Sequence, residues 1–127
     1  MVLSASYDAR GIREAVREAY SAASKDPRGE HAFPVGKEFA QSLGYPSNLL
    51  AQLPAASVEA FSGVSNVSVM AEIPAGACVL DLGCGAGVDS LIAAKRSGPG
   101  GGSWASTSAR RCLSGRMGLR PRLVWAT

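Results

Sequence analysis

The run Val79-Leu80-Asp81-Leu82-Gly83-Cys84-Gly85-Ala86-Gly87-Val88-Asp89 joins an apolar strand, a turn with alternating glycines and the start of a helix. Its pattern, DxGxGxG, brings backbone close to a nucleotide-like ligand, because a residue without Cβ tolerates positive φ and leaves room against the main chain. Asp81, two residues ahead of the first glycine, narrows the ligand. A carboxylate there repels a pyrophosphate and attracts an ammonium or sulfonium. The third glycine falls at Gly87, whereas the dinucleotide fingerprint GxGxxG requires it at position 88, where Val88 stands.

Both departures favour S-adenosylmethionine over a nicotinamide or flavin cofactor. VLDLGCGAG, followed by Asp89 and an apolar helix, closely resembles motif I of the class I, Rossmann-like S-adenosylmethionine-dependent methyltransferases. Phe33-Pro34-Val35-Gly36, Leu43-Gly44-Tyr45, Leu53-Pro54 and Phe61-Ser62-Gly63-Val64-Ser65-Asn66 are similar to the lead-in of arsenite methyltransferase-like members. The resemblance covers roughly residues 10 to 101. It implies an α/β fold, the N-terminal portion of a Rossmann-like methyltransferase with an incomplete sheet, preceded by a helical lead-in. It also implies an enzyme that transfers the sulfonium methyl group to a small-molecule or metalloid acceptor.

On that resemblance the glycine loop wraps the adenosyl and methionyl parts of the cofactor, and Asp81 contacts the methionine ammonium directly or through water. Gly83, Cys84, Gly85, Gly87 and Asp89 complete the expected cofactor-binding set. Asp89 either orients the ligand or lies in the first helical turn, where the dipole favours a negative charge. Cys84 is either a thiolate for trivalent arsenic or a small residue where bulk is not allowed. Cys78 is expected in the core. Arsenite methylation requires several converging thiolates, and no close cysteine set is evident. No residue is assigned as a catalytic base.

The 127 residues suffice for one small domain, which buries a lower fraction of its surface than a larger one. No stretch of 18 apolar residues occurs, and the N-terminus lacks the basic start and apolar core of a signal peptide. Three cysteines without CxxC spacing suit a reducing compartment, so the expectation is a soluble, cytoplasmic monomer with no membrane partner. His31 is the only histidine, which excludes a multi-histidine metal site; no metal is expected. No GxSxG elbow supports a nucleophilic triad.

Ile12, Val16, Ala19, Tyr20 and Ala23 recur at helical spacing, with Arg13, Glu14, Arg17 and Glu18 on the other face, so residues 8 to 23 form an amphipathic helix. Pro34 suits the first turn of a second helix carrying Val35, Phe39 and Leu43, with Gly44 just beyond its end. Pro46 and Pro54 start two more, and Gly63 ends the last. Residues 1 to 72 are thus a helical lead-in. Residues 73 to 101 open the methyltransferase domain: a Pro74-Ala75-Gly76 turn, a strand over 77 to 82 buried on both faces, and a helix from Ala86 to Arg96. Lys95 and Arg96 suit the negative end of that helix, and Gly98 caps it.

Residues 102 to 127 form a tail rich in Ser, Arg and Gly, with no apolar period and no expected strand. All ten carboxylates lie in residues 1 to 89, and seven of the thirteen Lys and Arg lie in residues 90 to 127. Arg110, Arg111, Arg116, Arg120 and Arg122 with Trp104 and Trp125 define one alternative, a non-enzymatic nucleic-acid module; nucleic acid is otherwise not expected as a partner. A dinucleotide-dependent oxidoreductase is the other. Permitted codons from Gly101 onward, read in a neighbouring frame, give RVVGVDFSEAMLVRA, which resembles the second strand of the family and its ribose-binding acid. That acid stands at position 107, where this chain has Thr107. The expectation is therefore that a frame shift near Gly101 leaves an authentic beginning and an unrelated tail, a catalytically incomplete fragment. Nucleotide sequencing checks this: the neighbouring frame is expected to encode a VxGVD-like strand, and any other coding content removes the explanation.

Overall fold

The structure, a computed structural model, describes residues 8–106. In chain order the elements are α1 (Ala9–Lys25), α2 (Lys37–Ser42), α3 (Ser47–Leu50), α4 (Ala55–Glu59), α5 (Val67–Met70), β1 (Cys78–Leu82), α6 (Val88–Ser97) and β2 (Gly102–Ser106). The described chain is therefore mixed α/β, with a small two-stranded parallel sheet.

Local chemistry sets the helix ends. The Asp8 side chain accepts the Gly11 N–H at 3.0 Å and caps α1, satisfying one of the amides that the first turn leaves without a partner. Pro46 and Pro54 immediately precede α3 and α4, as the sequence suggests. The second helix begins later than expected. Gly36, at φ 97°, holds the chain out of helical conformation, and its N–H is taken by the Phe61 carbonyl at 2.7 Å, so α2 starts at Lys37 rather than at Pro34. The short α5 was not foreseen.

Tyr45, Leu50, Leu53, Val58 and Phe61 of the lead-in pack against Val88 and Ile92 of α6. One core thus spans the expected boundary between residues 72 and 73. Phe61 meets Tyr45 edge-on, ring centres 5.1 Å apart, an arrangement favoured by the quadrupoles of the two rings. The first helix stands apart from this core: only Ser21 and Ala23 near its end are buried, and Tyr20 stacks on Phe33 at 4.7 Å.

Two expectations are corrected by the sheet. The strand β1 is buried on one side only, because α6 covers the face of Val79 and Asp81 while Leu80 and Leu82 remain 64% and 77% exposed. Cys78 shares that open face and is exposed rather than in the core. No described element covers it. A second strand does follow α6: Cys78 pairs with Gly102 and Leu82 with Ser106 in parallel register. Residues 102–106 lack an apolar period, so pattern gave no sign of it. Parallel pairing is made by backbone groups, and the entry to β2 is shaped by glycine. A Cβ on Gly101 would stand 2.5 Å from the Ala77 carbonyl oxygen and 2.6 Å from the Ser97 Cβ, so only glycine lets the chain pass there. The expected tail from 107 onward, with Thr107, Cys112 and the five arginines, lies outside the described residues.

Replacing Ile92, which is fully buried, by alanine is expected to lower the unfolding free energy by about 2–5 kcal/mol through lost burial and a residual cavity. Leu80→Ala on the open face is expected to change it by no more than about 0.5 kcal/mol. Urea denaturation of both variants checks the contrast.

Candidate functional site

The turn after β1 is built by left-handed backbone. Gly83, Gly85 and Gly87 have φ of 85°, 52° and 84°, a region that side chains strain, which explains the alternation of glycines in the sequence. The Gly87 N–H closes the turn on the Cys84 carbonyl at 2.8 Å, and Gly87 then caps α6. A Cβ built on Gly83 or Gly85 would meet nothing within 4 Å. Space above the turn is open.

That space is a cavity of about 560 Å³ between the turn, the end of β1, the 60–73 segment and α1. Asp81, Gly83, Cys84, Gly85 and Asp89 line it, as five of the six residues singled out from the sequence. Gly87 is not in its wall; it is buried, with a backbone role at the helix start. His31 is also outside the wall, its Nε2 bonded to the Asp26 carbonyl at 2.7 Å. Among the described residues no three His, Cys, Asp or Glu side chains form a metal-binding group. Cys84 lines the cavity, while Cys78 does not.

The two carboxylates have different surroundings. Ser90, in the first turn of α6, donates from its hydroxyl to Asp81 Oδ2 at 2.5 Å, and Ser103 of β2 donates to the Ser90 carbonyl at 3.2 Å. These serines connect β2, α6 and β1 and fix the rotamer of Asp81. Asp89 is instead an anchor for the lead-in. Its Oδ1 accepts from the Tyr45 hydroxyl at 2.7 Å, from the Ser68 N–H at 3.1 Å and from the Ser68 hydroxyl. Asp89 does lie in the first turn of α6, one of its two readings from sequence, while its hydrogen-bond partners lie 44 and 21 residues away.

Arg96 likewise serves another helix than its own. Its Nη1 donates to the Ser68 and Ala71 carbonyls at 2.6 and 3.0 Å, satisfying the end of α5. Lys95 reaches the Gln52 side chain at 3.0 Å. Ser68, Ser90 and Ser103 were missed by sequence reasoning, while Tyr45 was read only within the lead-in and Arg96 only at the end of its own helix. A second wall is α1, which contributes Val16, Arg17, Tyr20 and Ser24. Arg17 stands three before Tyr20 and seven before Ser24, on their side of the helix. No family model matches the chain, and no solved structure matches it.

Among the described residues no helix is long and apolar enough to cross a membrane.

Burial and then the neighbouring Asp89 push the Tyr45 hydroxyl well above the ordinary tyrosine range. The folded protein keeps this proton where the unfolded chain, titrating near 10.0, loses it. The stabilisation is complete below that value and falls as pH rises above it. Tyr45→Phe is expected to cost about 1–3 kcal/mol at neutral pH by leaving Asp89 short of a donor. Unfolding free energies at about pH 8 and pH 11 should fall less steeply in the variant than in the wild type. Equal slopes would contradict the role of the phenol.

Proposed function

We propose that this protein binds S-adenosylmethionine as the opening part of a methyltransferase, a catalytically incomplete fragment of that enzyme class, as its motif I-like turn suggests. The observation that carries the reading is a strand-borne carboxylate, Asp81, lining a cavity of about 560 Å³ together with the open, positive-φ Gly83 and Gly85. The residues fit such a ligand. Any side chain at Gly83 or Gly85 would enter open space where the ligand must approach the main chain. The Asp81 carboxylate in the wall favours a molecule that carries positive charge, as an ammonium or a sulfonium does.

When bound, S-adenosylmethionine supplies a methyl group on sulfonium sulfur, an intrinsically reactive donor. The work left to the chain is positioning and exclusion of water. Ser90 holds the Asp81 carboxylate ready to accept from an ammonium, with Oδ2 bonded and Oδ1 receiving no donor among the described residues. The turn amides and Ala86 flank the ligand. Val16 and Tyr20 bring apolar surface from α1, which sheds water from the donor. In this reading β1, α6 and β2 form the opening unit of a Rossmann-like sheet. The acceptor is a small molecule or a metalloid. Capture of arsenic receives no support from Cys78, which stands outside the cavity wall.

An oxidoreductase is the poorer reading. A dinucleotide pyrophosphate would sit at the start of α6, where Asp89 occupies the first turn and Asp81 is hydrogen-bonded to Ser90. Isothermal titration with S-adenosylmethionine is expected to give saturable one-to-one binding, with no comparable heat from an oxidised or reduced nicotinamide dinucleotide. Asp81→Asn should weaken the complex about tenfold through loss of a charged hydrogen bond. Tight dinucleotide binding in place of the methyl donor would overturn the proposal.

A further inference from the structure

We propose that Arg17, on α1, binds the carboxylate of the donor's amino-acid end, so that Arg17 and Asp81 together select an α-amino-acid zwitterion. This rests on the reading of the cavity as a methyl-donor site. Among the described residues lining the cavity Arg17 is the only cation, and Asp81 and Asp89 are the only carboxylates. Asp89 is occupied: three donors converge on its Oδ1. Among the described residues Asp81 receives a single hydrogen bond, from Ser90 to Oδ2. The wall therefore offers one anion and one cation to an incoming ligand.

Arg17 is uncommitted. It makes no ion pair or hydrogen bond with another described residue, although Glu14 and Glu18 lie on the same helix and Arg10 pairs with Glu14 at 3.9 Å. Its helix is fixed to the rest of the protein mainly near Ser21 and Ala23, while Val16 and Tyr20 stay half-exposed beside the cavity. An apolar stripe with a guanidinium at its flank suits the end of a ligand that is aliphatic and carries a carboxylate. The planar guanidinium offers two parallel N–H groups to such a carboxylate, stronger and more directional than a single neutral hydrogen bond. An ammonium and a carboxylate on one carbon then require both partners at once. Removing either should cost affinity for the intact amino acid only.

The test uses the full chain and three probes: S-adenosylmethionine, its decarboxylated form, and 5′-methylthioadenosine, which lacks the amino-acid end. Wild type is expected to prefer S-adenosylmethionine to the decarboxylated form by about tenfold, as one charged bidentate contact provides. In Arg17→Gln that preference should collapse, with the thioether probe bound as in wild type. Gln is a good helix former at an exposed position, and circular dichroism checks that α1 persists. A variant that keeps the wild-type preference overturns the role of Arg17 and leaves the donor site standing. A wild-type chain that binds none of the three probes overturns both.

Discussion

Everything that shapes the cavity depends on how the Asp89 carboxylate is satisfied. A half-buried carboxylate must recover the hydrogen bonds it gave up to water, and Asp89 recovers three at Oδ1 from Tyr45 and Ser68. Its seat in the first turn of α6 adds the favourable end of the helix dipole. Seven residues on, along the same face of α6, Arg96 takes the carbonyls at the end of α5. The short α5, too short to hold itself together in water, is thus clamped at both ends by charges of opposite sign on one longer helix. The segment before it, from Phe61 to Ser68, becomes a wall facing the glycine turn.

Sequence carried the local part of this arrangement. Glycines at 83, 85 and 87 announce left-handed turns because a side chain strains that backbone, Pro46 and Pro54 announce helix starts, and Asp81 announces a charge at the end of a strand. Each of those statements concerns one residue and its immediate neighbours. The pairing of Asp89 with Tyr45 is a different kind of fact: no spacing rule connects positions 44 apart, and a tyrosine with an edge-on phenylalanine beside it looks like plain core. Arg17 was hidden for a related reason. A charge next to other charges on a helix reads as solvated surface until the fold shows that its side of the helix meets a cavity.

Two misreadings share one physical cause. Leu80 and Leu82 were expected to be covered because an apolar strand usually sits between helical layers, and residues 102–106 were denied a strand because they are not apolar. Burial on both faces is supplied by neighbours, and strand pairing by backbone; neither is encoded in the strand alone. Gly101 and Ser103 show how an unpromising stretch still fits: the first allows a close pass by Ala77 and Ser97, and the second reaches the Ser90 carbonyl. Ser103 thereby supports Ser90, which in turn holds Asp81.

The uncovered leucines of β1 have a thermodynamic consequence. Their apolar surface is already hydrated in the native state, so melting adds little there to the heat-capacity increment that newly wetted hydrocarbon creates. Covering that face would therefore add to the curvature of the stability curve, since hydrocarbon now wet in the folded state would become newly wetted on melting.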